Sequence, residues 1–275
     1  MTRNSIWKRI FSNHTARFGV ILVLSVVFLG LFAPWIAIHD PYEVNPLKSL
    51  QGPSKDFPFG TDLIGRCIYS RTVYGTRLTL MIGLVALGIA LFSGVIIGLI
   101  SGYYKRIDNI IMRIIDVVMA FPSFLIAVVI VAILGPGLWN VVWAVGIGNI
   151  PPFARVIRSL VLSIREAEYV KAAIVMGNTD FRIIYIHITR NVISPIIVYS
   201  TIQMGWALLA ISSLGFVGLG AKPPAAEWGA LASEGRNYLR VAPLMAIMPS
   251  LFVFITVLGF NLLGDSLRDA LDPTL

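Results

Sequence analysis

The apolar residues of this chain fall into six long blocks separated by shorter polar stretches. A helix that crosses a lipid bilayer needs about 20 predominantly apolar residues, and each block meets or approaches that length. The pattern therefore predicts an all-α polytopic membrane protein with six transmembrane helices. The blocks cover residues 18–38, 78–102, 110–134, 138–157, 192–217 and 241–264.

The first and fourth blocks each admit a second interpretation. The first follows a basic stretch, as in a secretory signal peptide, but it is a full span long and ends in Pro34-Trp35 without a small-residue cleavage site. We therefore expect a retained anchor. The fourth block is interrupted by Asn149, Pro151 and Pro152, and a re-entrant or broken helix is the alternative there.

The Lys and Arg residues between the blocks predict the orientation of the chain. With the N-terminus inside and six spans, 14 of the 22 basic residues lie on the cytoplasmic side, in agreement with the positive-inside rule. The resulting layout has a cytoplasmic N-terminus (1–17), an extracytoplasmic loop (39–77), a five-helix core (78–264) and a cytoplasmic C-terminus (265–275). It also places one long insertion of the core, residues 153–191, in the cytoplasm.

The composition excludes several classes of protein. With 57% apolar residues, 13% charged residues and a mean hydropathy of +0.82, the chain is too apolar for a soluble domain and is unlike disordered chains. Its net charge of +8 could favour nucleic-acid binding, but the basic residues lie between apolar blocks, where membrane topology explains them. We therefore expect contact with membrane lipid and none with nucleic acid.

Residues for catalysis or metal binding are scarce. Cys67 is the single cysteine, and the three histidines (His14, His39 and His187) are too scattered for a convincing all-histidine metal site. The chain has no Gly-Lys dipeptide and hence no phosphate-binding P-loop, and it lacks a nucleophile elbow and an HExxH helix. We expect no catalytic residue, no metal site and no bound cofactor. Any active transport would draw its energy from another subunit.

The cytoplasmic insertion contains helix start and stop signals. Ser163 followed by Glu166 is a capping-box pattern, which predicts a helix start. Gly177-Asn178 is a helix stop, and Asp180 can begin a second helix. The pattern predicts two helices joined by a tight turn. Such a unit can be a docking site or simply a structured loop.

The second block carries five small residues at every fourth position, all on one face of the predicted helix. Such a face lets another helix approach closely. The partner helix can belong to this chain or to another chain, and the sequence does not separate the two. The small residues are Ala86, Ala90, Gly94, Gly98 and Gly102.

Three residues within the blocks are candidates for a transport pathway. Phe121-Pro122 lies in the third block, where a proline bends the helix and frees a backbone carbonyl. Gln203 lies in the fifth block and either faces a pathway or forms a hydrogen bond between helices. Arg113 and Asp116, three residues apart, are expected to form a structural ion pair rather than a proton relay.

Four ordered motifs, spread from the first loop to the C-terminus, resemble a known transporter family. The motif in the insertion resembles the EAA loop of permeases in ATP-binding-cassette (ABC) importers, and it consists of residues 168–173 (EYVKAA), Gly177 and His187. The other three resemble one branch of that family, the peptide/nickel permeases of the DppC and OppC type. They are residues 59–66 with Ser70-Arg71, residues 215–220 with Glu227-Trp228-Gly229, and residues 259–265 with Leu271-Asp272-Pro273.

The resemblance implies the type I ABC importer permease fold and a heteromeric complex in a bacterial or archaeal cytoplasmic (inner) membrane. The implied partners are a second homologous permease, two ATPases that bind ATP and Mg²⁺, and an extracytoplasmic solute-binding protein. The implied cargo is a short peptide, with nickel or a metal chelate (metallophore) as the alternative. A stand-alone channel or secondary transporter is the rival interpretation, and it predicts transport by this chain alone.

In that family the EAA segment is the coupling helix, which docks on the ATPase. The resemblance assigns ATPase coupling to Glu168, Lys171, Ala172, Ala173, Gly177 and His187. The chain departs from the family pattern at Lys171, where glutamate is usual, and at Thr189-Arg190, where Leu-Pro is usual. Cys67 stands where aspartate is usual, which argues against an essential charged contact in that stretch.

Overall fold

The structure is a computed structural model, and it describes residues 14–271. This range contains twelve α-helices and no β-strand, apart from an isolated bridge between Thr61 and Cys67. The helices are α1 (His14–Leu31), α2 (Ala33–Ile36), α3 (Ile68–Tyr103), α4 (Lys105–Met119), α5 (Ser123–Leu134), α6 (Leu138–Gly148), α7 (Ile150–Arg165), α8 (Glu168–Val175), α9 (Asp180–Arg182), α10 (Thr189–Phe216), α11 (Trp228–Gly235) and α12 (Leu244–Leu271). A π-helical turn (Ile183–Ile188) joins α9 to α10.

Four helical stretches in the described residues are long and apolar enough to cross a membrane: α1, α3, the continuous stretch Asp180–Phe216, and α12. α4 and α5, which are bent by 84° relative to each other, make a fifth span if both belong to one crossing. The prediction of an all-helical polytopic membrane protein is confirmed. The predicted count of six spans is not.

Helix breaks explain the difference in the count. Pro122 lies at the bend between α4 and α5, and Asn149 separates α6 from α7, which has Pro151 in its first turn. Proline lacks a backbone N–H and is disfavoured inside a helix, so α5 starts directly after Pro122 and α7 starts one residue before Pro151. The broken-helix alternative for residues 138–157 is therefore the arrangement observed.

Small residues bring α3 and α7 into close contact. Gly94, Gly98 and Gly102 are all buried. A Cβ atom built on Gly98 would lie 2.6 Å from Cβ of Ile157, and one built on Gly102 would lie 2.6 Å from Cβ of Val161. These separations leave no room for a side chain, so glycine is required for the two helices to approach. The partner of this part of the small-residue face is therefore a helix of the same chain.

The N-terminal part of the same face packs on α6. Ala86 belongs to a buried apolar cluster with Val142 and Val145, and Ala90 is also buried. A Cβ atom built on Gly146 would lie 3.1 Å from the carbonyl oxygen of Ala86. The small-residue face of α3 therefore packs on α6 in its N-terminal part and on α7 in its C-terminal part.

The helix α12 packs on α1 at one side and on α10 at the other. A Cβ atom built on Gly19 of α1 would lie 2.8 Å from the backbone nitrogen of Leu263. One built on Gly264 would collide with Ile202 of α10. Glycine at both contacts lets the three helices pack backbone to backbone, which joins α1 to the rest of the fold.

A buried ion cluster holds the loop before α3 against α11. Arg66 pairs with Asp62 and with Glu234 (Nη2–Oε2 3.1 Å), and Arg71 pairs with the same two carboxylates at 3.7 and 3.3 Å. Asp62 and Arg71 are each 1% exposed. Buried charges are tolerated when they are paired in this way. The stretch around Cys67 therefore does make charged contacts, contrary to the inference drawn from that cysteine.

The Glu-Trp-Gly motif fixes the start of α11. The carboxylate of Glu227 accepts hydrogen bonds from the backbone N–H groups of Gly229 (2.8 Å) and Ala230 (2.9 Å), which caps the helix. Burial raises the pKa of the Glu227 carboxyl above its ordinary value. Trp228 is fully buried, and its Nε1 donates to the carbonyl oxygen of Thr72 in α3 (2.9 Å). The motif thus anchors α11 against α3.

Ion pairs also join α4 to α7. Asp116 pairs with Arg155, and Asp108 accepts two hydrogen bonds from Arg158 (2.6 Å each). The predicted pair of Arg113 with Asp116 is not among the ion pairs in residues 14–271. The neighbouring helix supplies the closer cation, so a tertiary contact replaces the expected contact within one helix.

Candidate coupling segment

The candidate coupling segment, residues 166–188, connects α7 to α10. α7 ends at Arg165, α8 begins at Glu168, and α9 begins at Asp180 after a turn. The two predicted helices with a break between them are therefore present. The predicted capping box is wrong, because Ser163 lies inside α7 and Ala167 occupies the N-cap of α8.

A tight turn ends α8. Gly177 has φ +79°, in the left-handed region that favours glycine. Its N–H donates to the carbonyl oxygen of Ile174 (2.9 Å), and the N–H of Asn178 donates to that of Ala173 (3.1 Å). These two hydrogen bonds form a Schellman motif. The helix stop predicted at Gly177-Asn178 is confirmed.

Apolar contacts tie the coupling segment to the transmembrane helices. Val170 of α8 and Ile183 of the π-helical turn are buried in one cluster with Val161 of α7. Tyr103, at the end of α3, donates a hydrogen bond from its hydroxyl to Asp180 (2.7 Å). The segment is therefore part of the packed fold, and its second half runs into α10 without a break.

The outer side of the coupling segment exposes large apolar side chains. Val175 is 87% exposed, Phe181 79% and Met176 74%. The rings of Phe181 and Tyr185 stack with their centroids 6.0 Å apart. Several large apolar side chains exposed within one short segment are typical of a site that binds a partner. We call this surface the apolar tip, and it consists of Tyr169, Ile174, Val175, Met176, Phe181 and Tyr185.

The six residues that the resemblance assigns to coupling do not all face outward. Four are exposed, namely Glu168, Lys171, Ala172 and Gly177. His187 is half-buried, with its ring 6.4 Å from that of Tyr169. Ala173 is 0% exposed. Its burial in the chain's own core removes it from the surface that a partner could contact, which corrects its assignment.

The charged side chains at the start of the segment pair with one another. Glu166 accepts a hydrogen bond from Arg165 (3.3 Å), and it lies 3.6 Å from the ammonium group of Lys171. The hydrogen bond from Arg165, followed by the charge of Lys171, lowers the pKa of Glu166. Glu166 thus provides a local counter-charge for Lys171, which stands where the family usually has glutamate.

Among residues 14–271, no group of three or more His, Cys, Asp or Glu side chains could hold a metal ion.

Two of the three pathway candidates line one cavity. This cavity, of about 370 Å³, is lined by Pro122, Asn149, Gln203 and Trp206 among other residues. Phe121 is 61% exposed and is not one of its lining residues. The fold thus brings together Pro122 and Gln203, which lie in different predicted spans, because two helix breaks meet beside α10.

Two features were not predicted from the sequence, namely the pairing of Arg66 with Glu234 and the apolar tip. Glu234 pairs with Arg66 across 168 positions of sequence, and no local pattern links the two. The apolar tip did leave a signal, since Val175, Met176 and Phe181 are large apolar residues beside a predicted turn in the predicted cytoplasmic insertion.

Comparisons with known proteins identify the class and the family. Residues 94–275 match the family described as the binding-protein-dependent transport system inner membrane component. Residues 3–53 match the N-terminal transmembrane domain of oligopeptide transport permease C. With its all-helical fold, the protein is a permease subunit of an ABC importer, a non-catalytic membrane component. The chain belongs to the family of inner membrane components of binding-protein-dependent transport systems, and it has that family's type I permease fold.

Several relatives match almost the whole chain. The chain is 46% identical to the dipeptide transport system permease protein DppC of Alkalihalophilus pseudofirmus, over 98% of this chain and 89% of the relative. It is 42% identical to the glutathione transport system permease protein GsiD of Pectobacterium atrosepticum (98% and 90%). It is 40% identical to the di/tripeptide transport system permease protein DppC of Pseudomonas aeruginosa (98% and 91%). The resemblance inferred from the four motifs is confirmed.

Proposed function

We propose that this chain forms half of the translocation pathway of an importer for short peptides and couples that pathway to cytoplasmic ATPases. The observation that carries the coupling role is the apolar tip. It presents six large apolar side chains on a segment that is packed against α3 and α7 and continuous with α10. Four of the six, Tyr169, Ile174, Val175 and Met176, precede the candidate span Asp180–Phe216. Large apolar side chains exposed outside the spanning helices are typical of a surface that a partner covers.

The partners of this subunit are a second homologous permease, two ATPases that bind ATP and Mg²⁺, and an extracytoplasmic solute-binding protein. The complex lies in a bacterial or archaeal inner membrane. Both termini and the coupling segment face the cytoplasm, and residues 39–77 face outward. The distribution of Lys and Arg supports this orientation, and the description of the matched family supports the location.

The coupling segment acts as a lever in this proposal. The ATPase contacts the apolar tip together with Glu168, Lys171, Ala172 and Gly177. Movement of the ATPases displaces α8, and the buried contacts of Val170 and Ile183 transmit the displacement to α7 and α10. Because proteins are close-packed, a rigidly seated segment moves its neighbours rather than deforming alone.

The relatives support a peptide as the cargo. The three described above are named for dipeptides, glutathione and di/tripeptides, and none of the three is named for nickel. Nickel or a metal chelate therefore has less support than a short peptide. A stand-alone channel or secondary transporter is disfavoured, because the matched family works with a binding protein.

The apolar tip can be tested by adding charges to it. We expect the double variant Val175→Asp/Met176→Asp to recover less than a tenth of the ATPase that the wild type recovers in a mild-detergent pull-down, because two carboxylates would be buried in an apolar interface. The matched control is Leu47→Asp, since Leu47 is 94% exposed in the predicted outer loop. The control should recover the ATPases fully.

Two outcomes would contradict the proposal. Full recovery of the ATPases by the double variant would exclude the apolar tip as their docking surface. The second test deletes the gene in a host strain that has no other peptide importer. If uptake of radiolabelled dialanine and trialanine is then unchanged, the peptide cargo is excluded.

A further inference from the structure

Two helix breaks meet at the cavity beside α10. Pro122 lies at the bend between α4 and α5, and Asn149 lies between α6 and α7. Gln203 of α10 lines the same cavity. Broken helices within a membrane protein are tolerated where they are buried in protein or line a water-filled cavity. The cavity volume of about 370 Å³ lies within the range of small-molecule sites.

The two amide side chains of the cavity are held in a defined orientation. Nδ2 of Asn149 donates to the carbonyl oxygen of Val145 (2.8 Å), and Nε2 of Gln203 donates to the hydroxyl of Tyr199 (2.9 Å). Each amide therefore uses its nitrogen within the protein. In residues 14–271, no group donates to Oδ1 of Asn149 or to Oε1 of Gln203, so each retains a free acceptor oxygen.

The other lining residues limit the kinds of ligand that the cavity can bind. The cavity wall in the described part of the chain includes no charged side chain. Trp206, which is 58% exposed, provides an aromatic surface beside the amides. Carbonyl oxygens in apolar surroundings are costly unless a donor reaches them. The cavity thus suits a compact ligand that carries N–H donors.

We propose that Asn149 and Gln203 bind the N–H groups of a short peptide as it passes through the cavity. The inference rests on the peptide cargo proposed above and names its contact within this chain. The α-ammonium group and the backbone N–H are shared by short peptides of different sequence, so two acceptors that bind these groups do not select the side chains. Trp206 covers one apolar side of the passing peptide.

The test uses the whole transporter, purified with its partners and reconstituted in proteoliposomes with ATP, its binding protein and radiolabelled dialanine. Gln203→Met removes the acceptor and keeps the length of the side chain. We expect it to lower dialanine uptake three- to tenfold, the range expected for one lost hydrogen bond. The control is Thr201→Val in the same helix, because Thr201 bonds to Ile197 of its own helix and does not line the cavity. Uptake by the control should stay within about twofold of wild type.

A second measurement detects the contact directly. A photoreactive p-benzoylphenylalanine in place of Trp206 should cross-link radiolabelled dialanine during transport. Cross-links to lipid or to the partner permease alone would overturn the inference, as would wild-type uptake by Gln203→Met in a fully assembled complex. A wild-type complex that transports no peptide would instead overturn the proposed function, and the inference with it.

Discussion

At the scale of single residues, the same amino acid has different roles within one helix. Gly98 and Gly88 both lie in α3, and both read as small residues in an apolar block. A Cβ atom on Gly98 would press on Ile157, whereas one on Gly88 would have no atom within 4 Å. The close contact with α7, and not helix propensity, therefore decides which glycine is required.

This difference predicts unequal effects of one substitution. Gly98→Leu should lower the stability of the purified protein by about 1–3 kcal/mol relative to Gly88→Leu, because the added side chain overpacks the contact with α7. Both variants gain the same helix propensity, so their difference isolates that contact. Thermal unfolding in detergent measures this difference in stability between the two variants. Equal unfolding midpoints for the two variants would contradict the packing of α3 on α7.

At the scale of elements, the short helix α8 has an inner and an outer side. Val170 and Ala173, three positions apart, are buried, while Ala172 and Val175 are exposed. One side of α8 therefore packs the coupling segment against α7, and the other side is exposed and can contact a partner. A motif that lists both alanines cannot separate these roles, since they follow from the direction in which each side chain points.

Substitution of the two adjacent alanines should separate folding from coupling. Ala173→Leu should destabilise the protein by about 1–3 kcal/mol through overpacking. Ala172→Leu should leave stability within about 0.5 kcal/mol of wild type but reduce recovery of the ATPases. Thermal unfolding and ATPase co-purification, measured on both variants, check this. Strong destabilisation by Ala172→Leu would place that residue in the core instead.

At the scale of the whole molecule, the proposed orientation puts the outer loop and the coupling segment on opposite sides of the membrane. Leu47 and Val175 are the most exposed large apolar residues described in these two regions, at 94% and 87%. Cys67, the single native cysteine, is 2% exposed. The native protein therefore gives a low background for cysteine labelling.

We expect Leu47→Cys to react with a membrane-impermeant maleimide in intact cells. Val175→Cys should react only after the membrane is permeabilised, since the coupling segment is proposed to be cytoplasmic. The wild type, with Cys67 alone, is the control and should remain unlabelled under both conditions. Labelling of Val175→Cys in intact cells would reverse the proposed topology.

The sequence by itself determined the features that depend on local chemistry. Long apolar blocks specify insertion into a membrane, because the bilayer selects for hydropathy summed along one helix. The stop at Gly177-Asn178 follows from the backbone freedom of glycine at that position. The breaks at Pro122 and near Pro151 follow from the missing N–H of proline. Four ordered motifs were also sufficient to indicate the family.

Only the tertiary structure decided which residues meet. It placed α7 against the glycines of α3, paired Arg66 with Glu234, and exchanged Arg113 for Arg155 as the partner of Asp116. It also joined Pro122, Asn149 and Gln203 at one cavity. The physical reason is common to all of these contacts: they form between side chains far apart in sequence, and no local periodicity encodes which distant helix will lie alongside.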